Sequence, residues 1–527
     1  MLKTGFADID FESELTDIIK LFYQENEYEV LQGSPSMEET GLFLYGRLEG
    51  GARPSYVIEL CVKGTRFCVK GTGPVTHSER VTGPVPLTCV PLTRFYVIPI
   101  DEGIPGKNDM AGRKDFKREV RRGVYSLLSG HTGKSLPWGM LTGIRPAKIV
   151  HELLDEGFDR QRIEDRMIGY FKVSPDKAEL LYEIATAERK ILHNTPPDTV
   201  SLYIGIPFCS TRCLYCSFAS NTTGRTPGLL EAYIEALKME IGLTAGLLAD
   251  RGLKVQNIYI GGGTPTVLDT TALKALLDFI ENRFELAGVQ EYTLEAGRPD
   301  SLDREKLLAI RDSSVNRISI NPQTMNDSTL KLIGRNHTPD DVLRIFELAR
   351  NTGFDNINMD IIMGLPGEDN RMFEYTLQQI RGLSPESLTV HALAIKKASR
   401  LAIEKEAYRR LTGDEAELMM DTAVRYAREM GLHPYYLYRQ KNIAGNLENT
   451  GFCKPGRESL YNVQIMEERQ SIIAVGAGAV TKVVYPAGNR IERAFNVKSV
   501  EEYIKRTNEM FERKKALLTE LKVKKMY

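Results

Sequence analysis

Ser201-Leu202-Tyr203-Ile204-Gly205-Ile206-Pro207-Phe208-Cys209-Ser210-Thr211-Arg212-Cys213-Leu214-Tyr215-Cys216 is an apolar strand running into a loop with Cys-x3-Cys-x2-Cys spacing. The sequence that follows keeps one grammar. Strand-like runs at 200–206, 255–260, 290–295, 317–321, 356–362 and 387–393 alternate with helical patterns at 229–248, 271–284, 304–311, 340–351 and 372–381. Apolar strands separated by helices imply parallel βαβ units. Six such units predict an α/β fold, a partial (β/α)6 TIM-like barrel, with an open doubly wound sheet as the runner-up. Either fold gathers its ligands at the C-terminal ends of the strands.

The cysteines leave that loop from the first strand. Close thiols on flexible backbone can wrap one centre, and thiolates favour Zn, Cu(I) or iron–sulfur. A structural zinc site wants four closed ligands, and neither a fourth Cys nor a His lies near in sequence. A cubane with one iron left open fits three cysteines better; zinc and metal-free buried thiols are the competing readings. One βα unit later, Tyr259-Ile260-Gly261-Gly262-Gly263-Thr264-Pro265-Thr266 ends the second strand, where glycine lets backbone approach a ligand closely. Glu295 ends the third strand, Gln323 follows the fourth and Asp360 lies in the fifth. Each alone reads equally well as a satisfied structural group, but they share an address near strand ends. A carboxylate inside an apolar strand is expensive unless hydrogen-bonded, so Asp360 is expected to have a partner.

The whole chain of 527 residues carries 69 Lys+Arg against 70 Asp+Glu and seven cysteines. At about 150 residues per domain the length suggests roughly three domains. Hydrophobic and charged fractions of 42% and 26% exclude disorder and collagen-like repeats. A net charge of −1 leaves no global field for nucleic acid or an anionic membrane. No apolar run approaches the roughly 18 residues of a membrane span, and the start turns acidic before a signal-peptide core can form. A cytoplasmic protein is expected. Seven dispersed cysteines argue against a disulfide framework, so Cys61, Cys68, Cys89 and Cys453 are expected to be packing residues. Residues 1–105 read as an α+β domain and 106–195 as a helical connecting region, followed by the barrel at 196–400 and a further domain at 401–527. The basic stretch 112–122 reads as a solvated helix face, with an anion-binding face as the lesser reading.

The cysteine spacing, with Tyr215 between the last two, resembles the radical S-adenosylmethionine superfamily, in which three cysteines hold a [4Fe–4S] cluster. Tyr203–Cys209, Gly261–Thr266, Ile333-Gly334-Arg335-Asn336-His337-Thr338, Asp360–Pro366, Ala474–Ala479 and Asn496–Tyr503 go further. They resemble the oxygen-independent coproporphyrinogen III oxidase (dehydrogenase) family and its haem-chaperone relatives. Trp138–Lys148, Tyr435–Asn449 and the long N-terminal region are most similar to the Firmicute-type second coproporphyrinogen dehydrogenase branch. The resemblance implies a radical SAM barrel with the cluster on Cys209, Cys213 and Cys216. It implies S-adenosylmethionine held by Tyr215, Gly262, Gly263, Thr264, Glu295, Gln323, Arg335 and Asp360, with the Arg335 fork on its carboxylate and Asp360 on its ribose.

The implied reaction removes a hydrogen from the β-carbon of a propionate, then CO2 and one electron, leaving a vinyl group. Two rounds convert coproporphyrinogen III to protoporphyrinogen IX, with a low-potential electron donor such as flavodoxin or ferredoxin. The tetra-anionic tetrapyrrole implies cationic groups under a C-terminal substrate cap; Arg439 and Lys441 are expected there, with Tyr435, Tyr436 and Tyr438 as walls and Cys453 nearby. The alternatives are a haem-binding carrier that retains the cluster, or haem degradation or methyl transfer on another tetrapyrrole. The well-studied decarboxylases have a further cysteine two positions after the third; here that position is Phe218, and the chaperone relatives also lack the cysteine.

Overall fold

The computed structural model describes residues 1–6, 9–23, 27–30, 41–49, 55–63, 94–99, 109–143, 145–218, 221–223, 226–396, 398–404, 408, 411–440, 443–485 and 490–519. They form two compact units, Met1–Thr142 with Gln161–Ala178, and Gly143–Arg160 with Glu179–Tyr527. Cys68, Cys89, Lys441 and the side chain of Cys61 lie outside the described residues.

The larger unit contains the six expected strands: β1 (Thr199–Ile206), β2 (Lys254–Gly262), β3 (Glu291–Glu295), β4 (Arg317–Ser319), β5 (Ile357–Met363) and β6 (Ser387–Ala392). They pair side by side in chain order, all parallel. Leu202, Ile204, Ile258, Ile260, Leu294, Ile318, Ile361 and Val390 are fully buried. Burial of both faces is why these strands read as nearly continuous apolar runs. The connecting helices are α1 (Leu229–Asp250), α2 (Thr270–Glu281), α3 (Arg304–Arg311), α4 (Pro339–Asn351) and α5 (Asn370–Leu383). Side chains of Asp269, Asp303, Thr338 and Asp369 cap α2 to α5. Each accepts a first-turn amide that would otherwise be orphaned, which fixes where each loop becomes helix.

The sheet continues on both sides of this core. Beyond β6 lie two antiparallel strands, β7 (His433–Tyr438) and β8 (Asn449–Cys453), with β8 next to β6. Beyond β1 comes β9 (Ile472–Val475), parallel to β1, and then the antiparallel β10 (Val480–Tyr485) and β11 (Arg490–Phe495). The eleven-stranded order is β7-β8-β6-β5-β4-β3-β2-β1-β9-β10-β11, an open sheet and hence a partial barrel. The stretch after residue 400 is therefore continuous with the barrel sheet. It covers both edges of the parallel core, whose unpaired amides and carbonyls would otherwise be exposed.

Further helices of the unit include α6 (Gly413–Glu429), α7 (Leu460–Glu467), α8 (Val500–Lys505) and α9 (Thr507–Thr519). Lys514 of α9 reaches Glu240 of α1 at 2.7 Å, both side chains almost wholly buried. Glu240 also accepts from the Gly476 amide at 2.8 Å and the Asn496 side chain at 2.9 Å, and from the Tyr503 hydroxyl. This network ties the turn after β9 to the helical layer. Among the described residues no helix is long and apolar enough to cross a membrane.

The smaller unit has a five-stranded sheet ordered Tyr28–Val30, Leu2–Phe6, Gly41–Glu49, Ser55–Lys63 and Arg94–Pro99. Helix Met110–Thr132 packs against it so closely that a Cβ on Gly123 would lie 2.5 Å from the Tyr96 ring. The basic stretch belongs to this helix and is spent internally. Lys117 pairs with Glu14 at 2.6 Å, Arg113 with Asp10, and Arg121 donates to Thr142 at 2.6 Å. Trp138 is buried, with the Lys177 ammonium 6.0 Å from its ring centre.

Candidate functional site

The register of β1 and β2 places Gly205 opposite Gly261 and Ile206 opposite Gly262. The cysteine loop leaving β1 and the glycine run leaving β2 therefore emerge side by side. The Gly263 amide donates to Ile206 O at 2.8 Å and the Thr264 amide to Phe208 O at 2.7 Å. The Thr264 hydroxyl lies 3.6 Å from Cys209 Sγ. Gly262 has φ +111°, and a Cβ on Gly263 would lie 2.3 Å from Phe208 O. Glycine is thus required at both positions by backbone geometry.

The cysteine loop is pinned in its middle. The Leu214 amide donates to Ile333 O at 2.9 Å and Leu214 O accepts from the Leu401 amide at 3.0 Å, while its side chain packs among Leu330, Ile333, Ile362, Leu365 and Leu401. Thr211 Oγ1 donates to Gly334 O at 2.8 Å. An Arg298 guanidinium N–H points at Cys213 Sγ at 3.9 Å and at Thr211 O at 3.2 Å. Asp300 accepts from Arg298 at 3.0 and 3.2 Å and from Ser210 at 3.0 Å. Burial opposes ionisation of Asp300, but His337, whose Nδ1 lies 3.9 Å away, and the hydrogen bonds from Arg298 and Ser210 hold the carboxyl well below the usual carboxylate range. Burial pushes the Cys216 thiol up, with Cys213 and Cys209 adding to the rise. A thiol placed like that of Cys216 needs a cation to draw it out as thiolate.

A single tetrahedral ion with bonds of about 2.3 Å would hold its sulfurs about 3.8 Å apart. Among the described residues, the one His/Cys/Asp/Glu set whose ligand atoms all lie within 4.8 Å of one another is His151, Glu188 and Glu467. A closed structural zinc site takes four ligands, and this loop offers three thiols. Three thiols on one loop fit a cluster, whose sulfur ligands sit on different irons.

Two strands carry carboxylates, Glu295 at the end of β3 and Asp360 midway along β5. Glu295 accepts from the Tyr259 hydroxyl. Burial, with Asp360 adding, raises its pKa to about 7 against the opposing hydrogen bonds from Tyr259 and the Gly262 amide. A Cβ on Gly261 would lie 2.9 Å from this carboxylate, so the glycine run also makes room for it. Asp360 has the expected partner: Asn358 Nδ2 donates to it at 2.8 Å, and His391 Nε2 lies 3.9 Å away. Burial opposes its ionisation, but His391 and Asn358 lower its pKa below the ordinary value. Gln323 adopts φ +67°, held there because its amide donates to Asp360 O at 3.0 Å and its carbonyl accepts from Ile362 at 2.9 Å. Such left-handed backbone at a non-glycine residue gathers at ligand sites. The Arg335 fork faces carbonyls, donating to Asn321 O at 2.7 Å and Gly297 O at 3.1 Å, with Tyr215 Oη at 3.4 Å. In this arrangement it joins the loops after β3 and β4 to Tyr215.

The Tyr-rich segment divides. Tyr438 comes to the site, its hydroxyl 3.3 Å from His391 Nδ1. Tyr435 and Tyr436 are buried in a cluster with Cys453 and Val463, and Tyr436 covers Gly451, where a Cβ would lie 1.8 Å from its ring. Arg439 is buried and donates to Asn446 O at 2.8 Å. Burial lowers its pKa to about 10, against Glu448. Sequence reasoning missed His391, Arg298 and Asp300, although each shares the strand-end address that singled out Glu295. It also missed the stack of Tyr461 on Tyr259 at 4.4 Å, with Tyr203 6.2 Å from Tyr259. Only the fold brings α7 to β2.

A parallel partial barrel with three cysteines on its first loop and a glycine run on its second defines a radical S-adenosylmethionine protein. The description "Radical SAM superfamily" matches residues 203–380. The chain is 39% identical to the oxygen-independent coproporphyrinogen-III oxidase-like protein HemZ of Bacillus subtilis over 411 residues, 77% of this chain and 81% of that one. It is 34% identical to the heme chaperone HemW of the same organism over 307 residues, 58% of this chain and 75% of that one. The solved Escherichia coli coproporphyrinogen III oxidase HemN is 21% identical, with a TM-score of 0.48 over 62% of this chain and 73% of that one. The chain belongs to the oxygen-independent coproporphyrinogen-III oxidase-like family of radical SAM proteins, whose cofactors are a [4Fe–4S] cluster and S-adenosylmethionine.

Proposed function

We propose that this protein is a radical SAM enzyme that oxidatively decarboxylates two propionates of coproporphyrinogen III to give protoporphyrinogen IX. The observation that carries the reading is the β1–β2 register, which sets the cysteine loop against the glycine run at the mouth of an open barrel. When bound, the cluster and S-adenosylmethionine supply a 5′-deoxyadenosyl radical as hydrogen-atom acceptor. Cys209, Cys213 and Cys216 would hold the cluster, with Arg298 and Thr264 donating toward the sulfurs of Cys213 and Cys209. Gly262, Gly263 and Thr264 would present backbone to the methionine moiety. Glu295, Gln323, Arg335 and Asp360 would bind or frame the remainder. Removal of the propionate β-hydrogen leaves a carbon radical; loss of CO2 and transfer of one further electron to a one-electron acceptor gives the vinyl group. Each round also consumes one electron from a low-potential donor of the flavodoxin or ferredoxin type.

His391 and Tyr438 stand beside Asp360 on β6 and β7, and we assign them to the substrate side. Their hydrogen-bonding groups can orient a propionate or a pyrrole N–H. The likeness to a heme chaperone favours a second reading, a haem carrier that retains the cluster. Anaerobic incubation with coproporphyrinogen III, S-adenosylmethionine and dithionite separates the two. The enzyme reading expects 5′-deoxyadenosine and loss of two CO2 per tetrapyrrole, both abolished by Cys213→Ala. Stoichiometric haem binding with no vinyl product would replace it by the carrier reading.

A further inference from the structure

Two carboxylates and an imidazole meet at a second place in the larger unit. His151 lies on helix Ala147–Asp155, Glu188 on helix Pro175–His193, and Glu467 is the last residue of α7. All three side chains are buried, at 4%, 0% and 3% exposure. His151 Nε2 is 2.8 Å from Glu188 Oε2 and 3.6 Å from Glu467 Oε2.

Two buried carboxylates facing one imidazole need a positive charge. Among the described residues no lysine or arginine pairs with Glu188 or Glu467. Arg145 and Lys482 pair with Glu468, and Arg189 with Asp155; Lys148 and Arg469 are exposed. Glu188 Oε1 is buried without a hydrogen-bond partner, on the carboxylate whose other oxygen faces the imidazole. A shared proton would neutralise one carboxylate and leave the other. A divalent ion would balance both. With bonds of about 2.0–2.2 Å, neighbouring ligand atoms lie about 2.8–3.6 Å apart in octahedral or tetrahedral geometry, which spans both observed separations. Imidazole nitrogen among the donors disfavours magnesium and calcium and suits the later first-row ions.

We propose that His151, Glu188 and Glu467 bind one divalent transition-metal ion, zinc being the best match, separate from the iron–sulfur cluster. The ion staples α7 to the two preceding helices. Through Tyr461, which stacks on the Tyr259 that hydrogen-bonds Glu295, α7 in turn supports the floor of the radical site.

The test uses the full chain with its cluster reconstituted, so that iron occupies the cysteines, titrated with Zn2+ and passed through gel filtration before elemental analysis. About one zinc per chain is expected beside the cluster iron, together with a rise in Tm over the zinc-stripped protein. Glu188→Gln and Glu467→Gln should each weaken zinc binding at least about tenfold while leaving cluster iron unchanged. The wild-type titration needs no variant, so misfolding of a variant does not remove the test. Wild-type protein that retains no zinc and shows no change in Tm would overturn the proposal. So would equal zinc retention by the Glu188→Gln/Glu467→Gln double variant.

Discussion

Replacing Gly263 by Ala tests the contact between the glycine run and the cysteine loop. The added methyl would lie 2.3 Å from Phe208 O and 2.8 Å from Phe208 N and C, all backbone atoms. Close C···O contacts in proteins lie at about 3.3–3.6 Å, so the loops must separate by roughly 1 Å. Neither can yield alone, because the amides of Gly263 and Thr264 are hydrogen-bonded to Ile206 and Phe208. Overpacking of this kind costs about 1–3 kcal/mol, and a displacement near 1 Å at reacting groups costs about 100-fold in rate. Gly246 is the control: it lies inside α1 with nothing within 4 Å of its would-be Cβ, and alanine there should stabilise by about 0.5–1 kcal/mol. The assay is anaerobic formation of 5′-deoxyadenosine from S-adenosylmethionine, with iron content and Tm measured on the same samples. Gly263→Ala should lose about 100-fold in rate and melt lower, while Gly246→Ala keeps its rate and melts slightly higher. A Gly263→Ala protein with wild-type iron, Tm and rate would refute the reasoning.

Glu295, ordinarily near 4.5 and raised to about 7 in the fold, binds more protons folded than unfolded. Its contribution is therefore present at low pH and is lost as pH rises from about 4.5 to 7. The shift corresponds to about 3 kcal/mol, and Tm of the S-adenosylmethionine-free protein between pH 5 and 8 should fall less steeply in Glu295→Gln than in wild type. Glu240→Gln leaves the Lys514 amine buried without its counter-charge, and should cost about 3–5 kcal/mol in denaturant unfolding. Tyr438→Phe removes the hydroxyl facing His391; vinyl formation should fall at least about tenfold, while abortive 5′-deoxyadenosine formation continues.

The barrel was legible because parallel strands buried on both faces leave unbroken apolar runs, separated here by helical patterns. The candidate site residues could be singled out because Cys209, Gly262 and Glu295 stand at or just past the C-terminal ends of those strands, with Asp360 as a carboxylate midway along β5. Pairings without local periodicity were not. β9 is a four-residue strand with no βα unit around it, so its place beside β1 depends on the tertiary sheet edge it covers. Tyr461 and Tyr259 are ordinary aromatic residues until α7 lies under β2, and His151, Glu188 and Glu467 come from three separate helices. Arg439, expected from the resemblance to face an anionic substrate, is buried and turned onto Asn446 O by the return of the chain to β8.

The most direct measurement follows the hydrogen. Coproporphyrinogen III deuterated at the propionate β-carbons, incubated anaerobically with the reconstituted protein, S-adenosylmethionine and reductant, should yield singly deuterated 5′-deoxyadenosine. One should form for each vinyl group, two for each protoporphyrinogen IX. Unlabelled 5′-deoxyadenosine with the tetrapyrrole recovered intact would contradict the account.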